Sequence, residues 1–384
     1  MAREEEEDGF VVAGNRLTPL TEGPERLAAL LRLIDGARES LRLLYYGYKD
    51  DEAGRVVRAA LSAALARGVA VSLIVDGFGG AADGAFFAPL EAVGADICRF
   101  IPRFGRRYLL RNHQKLALAD GERAIIGGFN IEEDYFAEVA PRAWRDFGLL
   151  VEGPAASRLA GYYDALAEWA HTPRGRMRDL RRALAAWSEP DGPVRWLFGG
   201  PNRRLSPWAR SIKRDLHDAR RLEVIAAYFS PNPTMLRRVE RVGRRGKARV
   251  ITAAISDNTS TIAAARHCYR RLLRANVEVH EYQPTKLHTK LYIVDDAVHV
   301  GSANFDMRSL FLNLELMLRI EDAEFAQAMR AHFDRELAQC RRITPKEHRA
   351  QSSWLNRLKW GLAYFFVAVL DSSVTRRLNF DLDA

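Results

Sequence analysis

Apolar residues follow two rhythms along this chain. Short continuous or alternating runs at 41–46, 69–76, 115–119, 124–127 and 147–152 predict strands. A second set follows at 222–229, 249–255, 277–282, 290–294, 299–302 and 314–320. Between them, helical periodicity falls at 24–37, 54–67, 156–171, 234–244, 259–275 and 324–339. Strands mixed with helices indicate an α/β architecture, a sheet covered by helices in each half. The charged, Pro- and Gly-bearing stretch 172–201 reads as the linker between halves.

The last apolar segment has a different character. Trp354, Leu355, Leu358, Leu362, Phe365, Phe366 and Val369 share one helix face, with Arg357 off it and Arg376 and Arg377 beyond it. Trp360 and Val367 fall outside the stripe. It reads as an amphipathic helix lying in the plane of a membrane; the alternative is a C-terminal helix packed on the core. The longest clean apolar run, 360–370, is short of the roughly 20 residues a membrane span needs. The acidic start, MAREEEEDGF, has no signal-peptide stretch, and a solvated segment is expected there. An integral membrane enzyme and a secreted protein are both disfavoured.

The two sets of elements belong to a duplication. NHQKLALAD contains His113, Lys115 and Asp120, and LHTKLYIVD contains His288, Lys290 and Asp295; each pair is 175 residues apart. Both fit H-x-K-x-x-x-x-D, which is far beyond accident. GGFN (127–130) follows the first motif and GSAN (301–304) the second, with Asn130 and Asn304 in register to one residue. Upstream, 64–77 parallels 243–256 as helix end, glycine turn and apolar strand. The period is too long for a solenoid and fits two sister domains. The expected division is 1–17 as an acidic segment, 18–190 and 191–345 as the two domains, and 346–384 as the tail.

Composition narrows the chemistry. The 384 residues suffice for two or three domains, and 58 basic against 49 acidic residues leave a net charge of +9. An anionic partner follows: nucleic acid, phosphorylated substrate or acidic lipid surface. Only eight of the basic residues are lysines, which makes Lys115 and Lys290 informative. Cys98, Cys268 and Cys340 are too few and scattered for a disulfide framework or zinc site, and read as small buried residues.

On a strand, His and Lys two residues apart face the same side. Two halves related by an approximate two-fold would then bring two His, two Lys and two Asn to one cationic site. Such a cluster suits a phosphate group, whose charge grows on attack. Lys115 and Lys290 supply point charges, Asn130 and Asn304 amide hydrogens. One neutral histidine attacks phosphorus; the other, protonated, gives its proton to the leaving oxygen and then acts as base. The residues leave open which is which. No metal or other cofactor is expected. Asp120 and Asp295 complete the candidate catalytic set, although their place near the following turn suits a structural role as well.

These motifs resemble the phospholipase D superfamily, over residues 18–342. Within it the likeness is to bacterial cardiolipin synthases, through LLRNHQKLALADGERAIIGGFNI (109–131), WRDFGLLVEGPA (144–155), HEYQP (280–284), LHTKLYIVDD (287–296) and VGSANFDMRSLFLNLELML (300–318). The resemblance implies two phospholipase D-like α-β-α sandwich domains with the active site at their interface. It implies phosphatidyl transfer through a phosphohistidine, with His113 as nucleophile and His288 as acid and base. It adds Ser302 to the substrate-binding set. It implies a carboxylate orienting each histidine, Glu315 for His288 and Asp146 for His113. The first half departs from the usual pattern by carrying Gly128 where the second has Ser302.

The expected activity is synthesis of cardiolipin from phosphatidylglycerol at the cytoplasmic side of the cell membrane, by a peripheral enzyme. Its partners are a phospholipid substrate and an anionic membrane surface, the latter met by Arg103, Arg106, Arg107 and Arg111 and by Arg174, Arg176, Arg178, Arg181 and Arg182. The rivals are a phospholipase D that uses water or another alcohol, and a metal-independent nuclease. Nucleic acid is not the expected partner, since base-stacking aromatics interleaved with basic residues are not evident.

Overall fold

The computed structural model describes residues 9–79, 82–100, 110–138, 142–172, 175–202 and 205–370. The first half contains β1 (Phe10–Val12), β2 (Asn15–Leu20), α1 (Gly23–Asp35), β3 (Ser40–Tyr45), α2 (Glu52–Ala66), β4 (Ala70–Asp76) and α3 (Gly84–Ala92). It continues through β5 (Asp96–Phe100), β6 (Leu116–Ala119), β7 (Arg123–Gly127), α4 (Glu133–Phe136), β8 (Trp144–Arg145), β9 (Gly148–Glu152) and α5 (Pro154–His171).

The second half begins with α6 (Met177–Trp187), β10 (Val194–Gly199), α7 (Pro207–Asp218), β11 (Arg221–Ala226), β12 (Phe229–Ser230), α8 (Pro233–Arg245), β13 (Lys247–Ala253) and α9 (Thr259–Arg274). Then come β14 (Val277–Tyr282), β15 (Lys286–Leu287), β16 (Lys290–Val294), β17 (Ala297–Gly301), β18 (Phe305–Asp306), α10 (Met307–Phe311) and β19 (Glu315–Glu321). The described residues end with α11 (Ala323–Leu337), β20 (Cys340–Ile343), α12 (Pro345–Gln351), α13 (Trp354–Tyr364) and a π-helical turn, Phe365–Leu370.

Two eight-stranded sheets carry the duplication. The first runs β1-β2-β9-β7-β6-β3-β4-β5, the second β10-β19-β17-β16-β11-β13-β14-β20. Seven strands repeat in the same order, and each sheet adds one strand at the opposite edge. In both, three parallel strands (β3-β4-β5, β11-β13-β14) adjoin an antiparallel set. The parallel strands need helical crossovers, which α2, α3, α8 and α9 provide.

Strand alternation sorts the core into layers. On β3, Leu41, Leu43 and Tyr45 pack with α1 and α2 on the outer face, while Leu44 joins a central core. On β16, Tyr292 and Val294 meet the outer helices while Leu291 and Ile293 face the centre. That central core is shared: α5 and α11 lie between the sheets, with side chains from both halves around them. Tyr162 stacks on Phe198 across the halves at 3.7 Å between centroids, and the Trp196 indole donates to Ala155 O at 2.7 Å. Fully burying such side chains stabilises by about 1.5–3 kcal/mol each, so the two halves hold a fixed relation.

Two sequence expectations change. The stretch 172–201 is not a plain linker, since it contains α6 and edge strand β10. Residues 10–17 do not form a separate acidic segment with 1–9, since β1 and β2 join the first sheet through β9. Residues 4–8 lie outside the described residues, as do Arg103, Arg106, Arg107, Arg174, Arg376 and Arg377. Of the remaining linker arginines, Arg176, Arg178 and Arg182 gather around Asp179 at 3.3–3.6 Å. Cys98 and Cys268 are buried and Cys340 half-buried; burial pushes their thiols up to about 11, 12 and 12.

Candidate active site

The two H-x-K motifs meet at the junction of the halves because each is stitched to the other half's sheet. Asn112 forms an isolated parallel bridge with Leu314, and the His113 amide donates to Leu314 O at 2.9 Å. In mirror fashion β15 pairs with β8, and the His288 amide donates to Arg145 O at 2.7 Å. Each histidine therefore sits beside the residue that precedes the opposite half's carboxylate.

The orienting pairs are consequently crossed. His113 Nδ1 lies 3.0 Å from Glu315 Oε2, and His288 Nδ1 lies 2.6 Å from Asp146 Oδ2. This corrects the sequence expectation, which paired Glu315 with His288 and Asp146 with His113. The reason is the stitching just described: sequence order keeps a carboxylate with its own motif, whereas the parallel bridges deliver it across the interface. In both pairs the carboxylate takes the Nδ1 hydrogen and leaves Nε2 as the lone-pair nitrogen.

Both lysines are almost completely buried. Lys115 Nζ donates to His113 O at 2.7 Å and stands 5.2 Å from the Tyr46 ring centre. Lys290 Nζ donates to His288 O and approaches His288 Nδ1 at 2.6 Å. The shared face therefore arises by each ammonium folding back onto the carbonyl of its own histidine, with Lys115 just before β6 and Lys290 at the first position of β16.

Burial dominates the electrostatics. It pushes Lys115 down to about 7, with Glu315 opposing and Lys290 adding to the fall. It pushes Lys290 down to about 8, against Asp146 and Glu315. His288 falls to about 3, through burial and then the adjacent Lys290. His113 is also lowered, by burial, with Glu315 resisting. Burial would raise the two carboxylates, yet Lys290 and His288 hold Asp146 low and His113 holds Glu315 low. Lys290 acts on His113 and Lys115 on His288, so the halves form one electrostatic unit.

The remaining expected site residues divide. Asp120 and Asp295 are corrected: they are not among the reacting groups. Asp120 sits at φ 55° in the turn after β6 and accepts from the amides of Arg38, Glu39 and Ser40 at 2.8–3.2 Å. Asp295, at φ 48°, accepts from the amides of Arg220 and Arg221. Five residues of strand carry them about 16 Å from the lysines. Ser302 is also spoken for: its hydroxyl donates to Glu315 Oε2 at 2.5 Å and accepts from the Leu316 amide. Asn130 accepts from the Gly47 amide and donates to Glu132, so its amide is committed within its own half. Asn304 keeps a buried Oδ1 without a partner.

Gly128 has a spatial cause. A Cβ there would lie 2.4 Å from Asp146 Oδ1. The first half cannot carry the serine that braces Glu315 in the second; Asp146 accepts from the Phe147 amide instead.

Sequence reasoning missed the aromatic walls. Tyr46 lies 5.1 Å from His113, and Tyr135 and Trp144 lie 5.1 and 5.2 Å from His288, centre to centre. It also missed Gln114, whose amide donates to Tyr162 and to Glu315 O. Only Trp144, beside Asp146 in WRDF, had a sequence signal. Among the described residues no three metal-ligating side chains converge.

A duplicated α/β fold with crossed histidine–carboxylate pairs and two buried lysines defines a phospholipase D-like enzyme. The family described as "Cardiolipin synthase, PLD-like domain" matches residues 30–164 and 212–337, and the chain belongs to it. Cardiolipin synthase B of Escherichia coli (strain K12) is 28% identical over 363 residues, covering 92% of this chain and 88% of that protein. Cardiolipin synthase 1 of Bacillus cereus is 27% identical over 334 residues, covering 83% of this chain and 65% of that protein. The crystal structure of phosphatidylserine synthase from Haemophilus influenzae Rd KW20 shares the fold, with a TM-score of 0.70, 13% identity, and 94% and 95% of the two chains covered. Polyphosphate kinase from Porphyromonas gingivalis superposes at a TM-score of 0.56 with 14% identity, over 96% of this chain and 53% of that one.

Proposed function

We propose that the chain transfers a phosphatidyl group from one phosphatidylglycerol to another, making cardiolipin and releasing glycerol. The observation that carries this reading is the crossed pair of orienting contacts, which leaves Nε2 of one ring from each half as its lone-pair nitrogen; in this reading the two serve a single phosphorus. Nε2 of His113 attacks phosphorus, the bond to the glycerol headgroup oxygen breaks, and His288 gives that oxygen its proton. A hydroxyl of the second phosphatidylglycerol then attacks phosphorus, losing its proton to His288 as the phosphorus–nitrogen bond breaks. Both rings are pushed toward the neutral form in the free site, which suits the nucleophile. An arriving phosphate anion raises the affinity of its neighbours for protons, so it charges His288 and both lysines as it binds. Lys115 and Lys290 then meet the growing charge on the phosphoryl oxygens.

The choice of cardiolipin as product follows the names of the relatives, and the exposed apolar stripe along α13 and the turn after it supports a peripheral encounter with a membrane. Among the described residues no helix is long and apolar enough to cross a membrane. The test incubates the purified protein with labelled phosphatidylglycerol in EDTA and separates the lipids. Cardiolipin with released glycerol is expected. Phosphatidic acid instead would make it a hydrolase, and cleavage of single-stranded DNA without lipid turnover a nuclease. His113→Ala and His288→Ala are each expected to remove nearly all turnover while the protein stays folded; substantial activity in either sinks the shared site.

A further inference from the structure

Away from the histidines, α9, α12 and α13 enclose a cleft of about 490 Å³. Five of its eleven lining residues are arginines (Arg266, Arg270, Arg274, Arg349 and Arg357) and none is a carboxylate. Arg266 pairs with Glu281 behind the cleft at 2.9 Å, and Arg357 donates to Ser352 O at 2.8 Å. Arg270, Arg274 and Arg349 are exposed. His348, buried among them, is held below its usual value by burial and then by Arg270, Arg266 and Arg357. Positive charge is concentrated here in a concave space whose own side chains do not neutralise it.

The cleft adjoins an apolar surface on the same helix. Trp360 and Tyr364 fasten α13 to α9 and α12: Trp360 stacks on His348, Tyr364 stacks on His267, and the Tyr364 hydroxyl donates to Pro231 O at 2.8 Å. With that face docked, Trp354, Leu355, Leu358, Leu362, Phe365 and Phe366 all remain exposed, between 44% and 72%. Arg357 lies on the helix between the docked face and this stripe. A cationic cleft beside an apolar ridge matches a molecule that is anionic at one end and apolar at the other.

We propose that the cleft takes the phosphate headgroup of an anionic phospholipid in its bilayer, while the α13 stripe rests among the acyl chains. This second lipid site is separate from the reacting one. It rests on the lipid reading of the function for its choice of ligand, but vesicle binding needs no turnover, so the two readings fail separately. Each guanidinium near an anionic leaflet strengthens partition about fivefold.

The experiment co-sediments the full chain with phosphatidylcholine vesicles, with and without phosphatidylglycerol. The protein is expected to sediment with the anionic vesicles and not with the neutral ones. Arg270→Ala/Arg274→Ala/Arg349→Ala, all exposed positions, is expected to weaken anionic-vesicle binding at least tenfold with an unchanged circular dichroism melt. Leu358→Ser/Leu362→Ser is expected to do the same, and decides the matter alone if the triple variant is unfolded. Equal binding by both variants would overturn the site. Displacement from vesicles by millimolar inorganic phosphate would overturn the bilayer as its ligand. A concentration-dependent dimer in lipid-free solution that Leu358→Ser/Leu362→Ser dissolves would assign the stripe to a second copy.

Discussion

At the scale of single residues, the crossing of the orienting carboxylates has the sharpest consequence. Asp146→Asn keeps the shape of the side chain but removes the charge that fixes the His288 tautomer. Turnover is expected to fall about 10²- to 10⁴-fold. The ring nitrogen resonances of His288 should shift in that variant while those of His113 stay put, and Glu315→Gln should do the reverse. The opposite pattern would restore pairing within each half. Asp120 makes a contrasting case. Burial opposes its charge, but the Ser40, Glu39 and Arg38 amides together hold its carboxyl below the ordinary value. Its folded value is depressed, so its stabilisation is present above the unfolded pKa, near 3.9, and is lost as pH falls through the folded one. Asp120→Ala should cost about 1–2 kcal/mol in a urea melt at pH 7 and leave kcat within about threefold. A hundredfold loss of kcat would return Asp120 to the reaction. The motif thus stated which residue types matter, but not that its last member acts on the chain rather than on the substrate; an aspartate at positive φ is legible only from coordinates.

Among the elements, β8 transmits the packing of α11 into the site. Arg145 on β8 gives two donors to Glu336 on α11, the shorter contact at 2.5 Å, and one to Glu22 at 2.7 Å. The carbonyl of the same Arg145 accepts from the His288 and Thr289 amides. Burial would weaken the guanidinium's charge, but Glu336 and Glu22 raise its pKa further. Glu336→Gln leaves a buried cation half-paired, and is expected to cost about 3–5 kcal/mol in chemical denaturation. It should also lower kcat more than it raises KM, because His288 loses its fixed register; an unchanged kcat would make the pair a stability device alone. Runs such as 69–76 and 290–294 were legible as strands because both faces are buried and the apolar signal is dense. Edge strands β1 and β20 were not, since FVV is only three residues long and CRRI is half polar. The crossed stitching was invisible for another reason. It depends on two parallel bridges between segments 142–202 residues apart, and no local pattern reports a partner in the other half. The tail helix packs through Trp360 and Tyr364 on α12 and α9, as the packed-helix alternative expects, while Trp354, Leu355, Leu358, Leu362, Phe365 and Phe366 stay exposed.

For the molecule as a whole, duplication places two ammonium groups in one buried space, and stability should reflect that opposition. Folding lowers Lys115 to about 7 and Lys290 to about 8. The unfolded chain therefore binds more protons than the folded one between those values and the ordinary lysine pKa, about 10.4. Stability contributed by these groups rises with pH across that window. Replacing Lys115 by methionine removes the opposition: Lys115→Met should melt about 3 °C or more above the parent at pH 7. The gap should narrow steadily toward pH 10, as the parent's lysine loses its proton in both states. The same substitution should reduce kcat at least ~100-fold, since the phosphoryl charge loses one of its two buried cations. In the parent, kcat/KM should fall as pH rises above about 8, where the free site loses its ammonium charges. On the acid side it should hold to below the usual histidine value, because burial keeps His113 neutral there. A variant that melts lower than the parent at pH 7, or a gap that widens toward pH 10, would mean that the buried ammonium is stabilised by its surroundings. Fold stability and phosphate binding would then draw on the same contacts, where the present geometry sets them against each other.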